Sequence, residues 1–239
     1  MNGIDNYLCK VWIRTSSNIF LTLFTGIVTM FLMAESILSV TSNTFLYVMI
    51  SSTICSFYAI IKFHMTAPVY NRDAQGNNYL AECQSNRDRE KWSNVIFLMM
   101  GIIISPALFE AIEYDILIRA LVVTTLATVG PIMASLNTTN SSSLLQYRSS
   151  VHTMLTGFLF LSLGGIFFPV LHEIELYGGV LFFAFLNAYD THVAIQKFRQ
   201  GEADHVGHAI NYALNILNIL IRVIEILIRM KREDERKSR

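Results

Sequence analysis

Charge is scarce in this chain. Only 15% of its 239 residues are Asp, Glu, Lys or Arg, where a soluble domain carries about a quarter. The mean hydropathy is +0.44, and the 53% of residues that are hydrophobic are grouped in long blocks. An ordinary soluble enzyme and a disordered chain are therefore excluded. Neither sign of charge is in excess, since 18 Lys and Arg balance 18 Asp and Glu. The chain as a whole thus carries no basic footprint for nucleic acid. Cysteine is limited to Cys9, Cys55 and Cys83. They are odd in number and widely spaced, which excludes a secreted disulfide scaffold and a CxxC metal site. HExxH, GxSxG and a Gly-rich phosphate loop are all missing. The chain is expected not to be an enzyme and to hold no cofactor.

What the chain has instead is apolar runs. A helix needs about 20 apolar residues to cross about 30 Å of hydrocarbon. Such runs occupy Ser17–Val40, Phe45–Phe63, Ser93–Ile112, Ile116–Leu136, Val151–Val170 and Leu176–Gln196. A seventh, more polar run covers Gly207–Met230. Helices are expected because a backbone in lipid must satisfy its own hydrogen bonds. The predicted fold is an all-α polytopic membrane helical bundle, with six spans plus a seventh spanning or re-entrant helix. Residues 1–16 form an N-terminal segment, 17–230 the membrane domain and 231–239 a charged tail, with no second domain. The one long connector, His64–Trp92, reads as an irregular polar loop through Pro68, Gly76 and its Asn residues. Lys10 and Arg14 precede a first run about twice the length of a signal h-region. No clean cleavage site follows, so that run is expected to stay in the protein.

Cations in short loops set the orientation. With the amino terminus in the cytosol, Lys10, Arg14, Arg72, Arg87, Arg89, Lys91, Arg148, Lys197 and Arg199 are all cytosolic. The opposite loops, Thr41–Thr44, Glu113-Tyr-Asp115 and His172–Glu175, are neutral or acidic. The sequons at Asn137 and Asn140 then face the cytosol and are expected to be unglycosylated. A glycan on either would overturn the topology. The tail, with Lys231, Arg232, Arg236 and Lys237, conflicts with a seventh full span, which would carry it to the other side. Its end resembles a dibasic endoplasmic-reticulum retrieval signal, which works only in the cytosol. The alternative reading is a solvated charged tail.

An ionisable group at mid-bilayer costs at least about 2.5–3.5 kcal/mol, so each one is a functional candidate. Glu35, Glu110, Asp190, His192, Arg222 and Glu225 qualify. Asp190 lies about two turns before Lys197, too deep for a short side chain to reach bulk water easily. On the last run, Asn211, Asn215, Asn218, Arg222, Glu225 and Arg229 are spaced four, three, four, three, four. That spacing places them on one helix face, turned toward a bundle interior or, alternatively, toward headgroups. Arg222 and Glu225, three apart, are placed to pair with each other. His205 and His208, beside Asp204, carry i, i+3 metal spacing, but at a loop–helix junction they read as exposed interfacial histidines. Gly164-Gly165 and Gly178-Gly179 read as close-packing sites.

These residues carry a resemblance. Tyr177–Gln200, reading YGGVLFFAFLNAYDTHVAIQKFRQ, resembles the Bax inhibitor family, in which the sixth span ends in aromatic-Asp-Thr-Gln. Gly201–Asn211, reading GEADHVGHAIN, is similar to that family's loop before the last helix. Leu214–Arg222, Ser105-Pro-Ala-Leu108 and Ser162-Leu-Gly164 also fit, so the resemblance covers Ser105 to Arg222. It is nearest to the endoplasmic-reticulum Bax inhibitors, because the loop before the last helix is short. The resemblance implies a multi-pass endoplasmic-reticulum membrane protein that suppresses cell death and lowers stored calcium through a pH-sensitive leak. Calcium is the permeant ion. Membrane lipids and apoptosis regulators of the Bcl-2 family are the implied partners. Two aspartates share a proton and gate the pore in bacterial relatives. The first maps onto Asp190, which becomes the gate and a weak calcium contact. The second maps onto Asn215, where the carboxylate is lost, and Asn211 likewise replaces an acidic residue.

Without a second carboxylate the like-charge interaction disappears. Acid gating is then weaker or shifted, or moves to His192, His205 or His208, and calcium affinity falls. Asn211, Asn215, Asn218, Arg222 and Glu225 line the implied path, with Glu110 and Glu35 attracting cations at its mouths. The competing expectation is a non-conducting interaction protein that binds apoptosis or stress regulators through its tail and cytosolic loops.

Overall fold

A computed structural model describes residues 3–34, 43–72, 78–137 and 148–238. Among them are seven helices and one hairpin: α1 (Gly3–Ala34), α2 (Asn43–Met65), β1 (Tyr70–Arg72), β2 (Asn78–Leu80), α3 (Gln84–Glu113), α4 (Leu117–Asn137), α5 (Arg148–Gly165), α6 (Pro169–Arg199) and α7 (His205–Lys237). Five of them, α1, α2, α3, α4 and α6, are long and apolar enough to cross a membrane. The chain is an all-α multi-pass membrane bundle.

The fifth expected span is corrected. Val151–Val170 is not one helix, because α5 stops at Gly165 and α6 starts at Pro169. The amides of Phe167 and Phe168 both close back on the Gly164 carbonyl at 3.0 Å. Proline is suited to a first helical position, where no intrahelical amide is needed. The apolar stretch of α5 is thus short, Thr153–Gly165. His172–Glu175, expected as a loop, forms the opening turns of α6.

The residues cluster into two compact units. The first holds Met1–Glu110 and Lys197–Ala213, and the second Ala111–Gln196 and Leu214–Arg239. Helix α1 already runs from Gly3, and α7 continues to Lys237.

In the first unit, α1 buries Tyr7, Val11, Thr15, Asn18, Thr22, Gly26, Thr29 and Met33. That is one face at helical spacing, and most of it is small or polar. The exposed positions include Phe20, Phe24, Ile27 and Phe31. This is the reverse of a soluble helix and suits lipid outside with small residues at the helix interface. A Cβ on Gly101 would overlap the Thr22 carbonyl and sit 2.7 Å from Thr25 Cβ, so α1 and α3 approach closely there. Thr22 Oγ1 donates to Asn18 O at 3.0 Å and Phe97 O at 3.1 Å.

The connector expected to be irregular holds an antiparallel hairpin, with Tyr70 opposite Leu80 and Arg72 opposite Asn78. Buried Asn86 closes its base. Its Nδ2 donates to Val69 O and Ala81 O, each at 2.7 Å, and its Oδ1 accepts from Val69 N at 3.1 Å. Asn78 Nδ2 donates to Gly201 O at 2.6 Å, and Gly201 has φ +92°, a conformation glycine adopts without strain. Arg87, Arg89 and Lys91, read from sequence as loop cations, lie in the first turns of α3.

In the second unit, α3 ends in a Schellman turn. Ile116 N donates to Ala111 O and Asp115 N to Ile112 O, both at 2.9 Å. Asp115 takes the left-handed position, with φ 55°. On α4 the buried positions include Ala120, Thr124, Thr128, Ile132 and Ser135, again one face. Helix α7 differs from the rest. Leu217, Ile219, Leu220, Val223, Ile224 and Ile228 are all buried, so its apolar sides meet protein rather than lipid. A helix wrapped in protein tolerates a polar stripe that a lipid-facing one would not.

Candidate functional site

The polar residues of α6 and α7 in the second unit meet along one seam. Asn215 Nδ2 donates to Asp190 Oδ2 at 2.8 Å, and Asn215 is 7% exposed. The two positions singled out from sequence are therefore brought together. An amide donating to a carboxylate satisfies one of its oxygens without adding a second negative charge. One turn earlier on α6, Asn187 is fully buried, and neither polar atom of its amide has a partner among the described residues. Buried amides are ordinarily hydrogen-bonded, and this one is an exception among the described residues. Sequence reasoning passed over it, although its spacing of three from Asp190 placed it on the same face. His192 is buried as well.

Farther along α7 the seam is ionic. Arg222 pairs with Glu175 of α6, with side chains 12% and 11% exposed. The expected Arg222–Glu225 pair does not form. Glu225 Oε1 instead accepts from Arg229 Nη2 at 2.8 Å and lies 2.8 Å from His172 Nε2. His172 Nδ1 is 3.7 Å from Glu175 Oε2. Ser162 Oγ donates to Glu175 Oε1 at 3.2 Å, and Arg222 Nη1 contacts the carbonyl and side-chain oxygens of Asn218, each at 3.3 Å. The reason is geometric. Residues three apart on a helix meet at its surface, whereas a long buried guanidinium extends to a neighbouring helix where its charge is better screened from lipid. Glu175 and His172 were missed, because both were assigned to a short loop.

The stripe on α7 is shorter than expected. Asn215, Asn218, Arg222, Glu225 and Arg229 are buried or half-buried, but Asn211 is exposed and belongs to the first unit. Glu110 is exposed on α3, and Glu35 lies outside the described residues. Of the packing glycines, Gly179 and Gly165 abut Arg222 and His172, while Gly178 has nothing near it.

His205 and His208, in the first unit, are not exposed as expected. His208 is 6% exposed, with its ring edge-on to Tyr7 at 6.3 Å, and His205 is half-buried. Burial holds the His205 imidazole below its ordinary value of 6.5, against the pull of Asp204. Asp204 itself is committed elsewhere. It caps α7 by accepting from Gly207 N at 3.0 Å, and it pairs with Arg89. Arg89, with its side chain 5% exposed, also donates to Phe63 O at 3.2 Å and Thr66 O at 2.7 Å. It lies 4.0 Å over the Phe63 ring. Asp204 is thus a structural carboxylate, and among the described residues no group of three His, Cys, Asp or Glu is placed to hold a metal.

At the end of α7, Lys231 Nζ donates to Tyr114 O at 2.6 Å. Arg232 Nε donates to Tyr114 Oη at 3.1 Å, with its guanidinium 5.3 Å over the Tyr114 ring. The tail therefore begins against the α3–α4 turn. Arg236 and Lys237 are exposed.

Comparison with known proteins identifies a family. A family model described as inhibitor of apoptosis-promoting Bax1 matches residues 5–233. No curated protein and no solved structure matches the chain.

Proposed function

The chain belongs to the Bax inhibitor family, and from that premise we propose that it suppresses cell death by leaking calcium from the endoplasmic reticulum in a pH-modulated way. The observation that carries the reading is the Asp190–Asn215 hydrogen bond between two helices. Asp190 supplies the carboxylate oxygen a hard cation prefers, with Asn215 as its neutral partner and the orphaned Asn187 amide beside it. Asn218, Arg222 and Glu225 continue the path along α7, and Glu110 serves a mouth. Asp190 and His192 carry the pH response of the path, with His205 and His208 as the alternative. Calcium passes through, and the protein needs no resident cofactor and catalyses no reaction.

The amino terminus is proposed to be cytosolic, on the loop charges. The contact of Lys231 and Arg232 with Tyr114 keeps the start of the tail against the α3–α4 turn.

The test is calcium flux through purified protein in liposomes from pH 5 to 8, for wild type, Asp190→Asn and Asn215→Asp. Flux that is lost in Asp190→Asn and becomes more acid-sensitive in Asn215→Asp supports the leak. The exposed end of the tail favours a second reading, a non-conducting protein that docks apoptosis regulators of the Bcl-2 family. Absence of flux from every folded variant, with protection of cells lost on deleting Lys231–Arg239, would replace the first reading with this one.

A further inference from the structure

We propose that Arg222, held by Glu175, is the plug of the path past Asp190 and the residue that sets its resting conductance to cations. The inference rests on the leak reading for what passes, but not for the plug itself. Along α7, Arg222 is seven residues beyond Asn215, about 10 Å at 1.5 Å per residue. A cation moving along the stripe from the Asp190–Asn215 pair meets the guanidinium after Asn218. Seated on Glu175 it blocks the stripe by its bulk, and wherever it parts from that carboxylate its positive charge opposes cation entry.

The guanidinium is seated in a site shaped for it. Glu175 accepts from one terminal nitrogen and Asn218 from the other. Two rings flank it, with Phe158 at 5.1 Å and Phe183 at 4.9 Å from its central carbon, the arrangement of a cation–π contact. Gly179 makes room for it: a Cβ there would overlap Arg222 Nε and lie 2.9 Å from Phe158 Cζ. Yet the seat is incomplete. Arg222 Nε is buried with no partner among the described residues, and leaving a buried donor unmade is costly. Glu175 is shared, since Ser162 and His172 also reach it. A charge held by a divided partner, with one donor unsatisfied, is poised to leave its seat.

Two variants test the plug by different routes. Glu175→Gln with Arg222→Gln removes both charges and leaves neither stranded. Gly179→Ala keeps every charge but fills the space of the guanidinium. The probe is Asn218→Cys in a background with Cys9, Cys55 and Cys83 changed to serine. It is labelled in oriented proteoliposomes by an impermeant cationic thiosulfonate added on the tail side, and calcium flux is recorded in parallel. Both variants are expected to label at least about tenfold faster than the parent and to raise resting flux by a similar factor. Faster labelling with no flux in any protein, wild type included, would keep the plug and overturn the leak. Unchanged labelling in both variants, with thermal unfolding showing them folded, would overturn the plug.

Discussion

The two units bury polar groups in opposite ways. In the first, the interior of α1 is neutral, and its hydroxyls mostly return to their own helix: Thr15 Oγ1 donates to Val11 O, Thr22 Oγ1 to Asn18 O and Thr29 Oγ1 to Thr25 O. In the second, the interior of α6 and α7 is charged, and its bonds run between helices: Asp190 to Asn215, Glu175 to Arg222, Glu225 to His172. A hydroxyl bonded within its own turn needs no partner helix, so neighbours slide or pack without electrostatic cost. A buried charge bonded across helices ties conformation to charge state and solvation. Small neutral groups make a scaffold, and trans-helix charges make a candidate switch.

The sharpest exception in the first unit is Arg89, which joins the last carbonyls of α2 to the Asp204 cap of α7. Arg89→Ala strands a mostly buried carboxylate and frees two helix-terminal carbonyls. A loss of about 3–5 kcal/mol is expected, read as a large fall in thermal unfolding temperature in detergent. If the loss were under about 1 kcal/mol, the first unit would need no ionic hub. Next in size is Gly101→Ala, which forces α1 from α3. Overpacking of this kind costs about 1–3 kcal/mol. Stability should fall while the pH profile of calcium flux keeps its shape, and a changed profile would break the division between scaffold and switch.

A smaller effect separates the two kinds of pH response. Because burial depresses His205 in the folded chain, the unfolded chain binds the proton more readily. Stability is then fully present above about pH 6.5 and declines below it. His205→Gln should flatten that decline in unfolding measurements between pH 7 and 5, leaving the acid dependence of flux in place. The smallest effect is in the second unit. Asp115→Gly relieves a left-handed residue in the Schellman turn and should add about 0.5 kcal/mol, with flux unchanged. A gain in stability that altered flux would show that the α3–α4 turn takes part in gating.

Much of the fold was legible in the residue order. Runs of about 20 apolar residues mark lipid-compatible helices whatever their neighbours, and five helices of the required length and composition are found. The spacing of Asn211, Asn215, Asn218, Arg222, Glu225 and Arg229 marked one face of α7, of which Asn211 is exposed, while the juxtaposition of Asp190 and Asn215 was suggested only by the family resemblance. The hairpin was hidden because Asn86, which closes it, acts through a side chain 17 residues away in sequence from one of its carbonyl partners. The break after Gly165 was hidden by Phe167, Phe168 and Val170, which keep the hydropathy high across a turn.

Hydropathy and periodicity depend on each residue and its own helix, so the sequence by itself determined which segments are apolar enough for lipid and which face of α7 is polar. Partner choice depends on which helices are neighbours. Only the tertiary structure decided that Arg222 takes Glu175 rather than Glu225, that Asp204 pairs with Arg89, and that α7 is sheathed in protein. The physical reason is that a buried charge takes the partner and shielding its surroundings supply, and those surroundings come from residues far away in the chain.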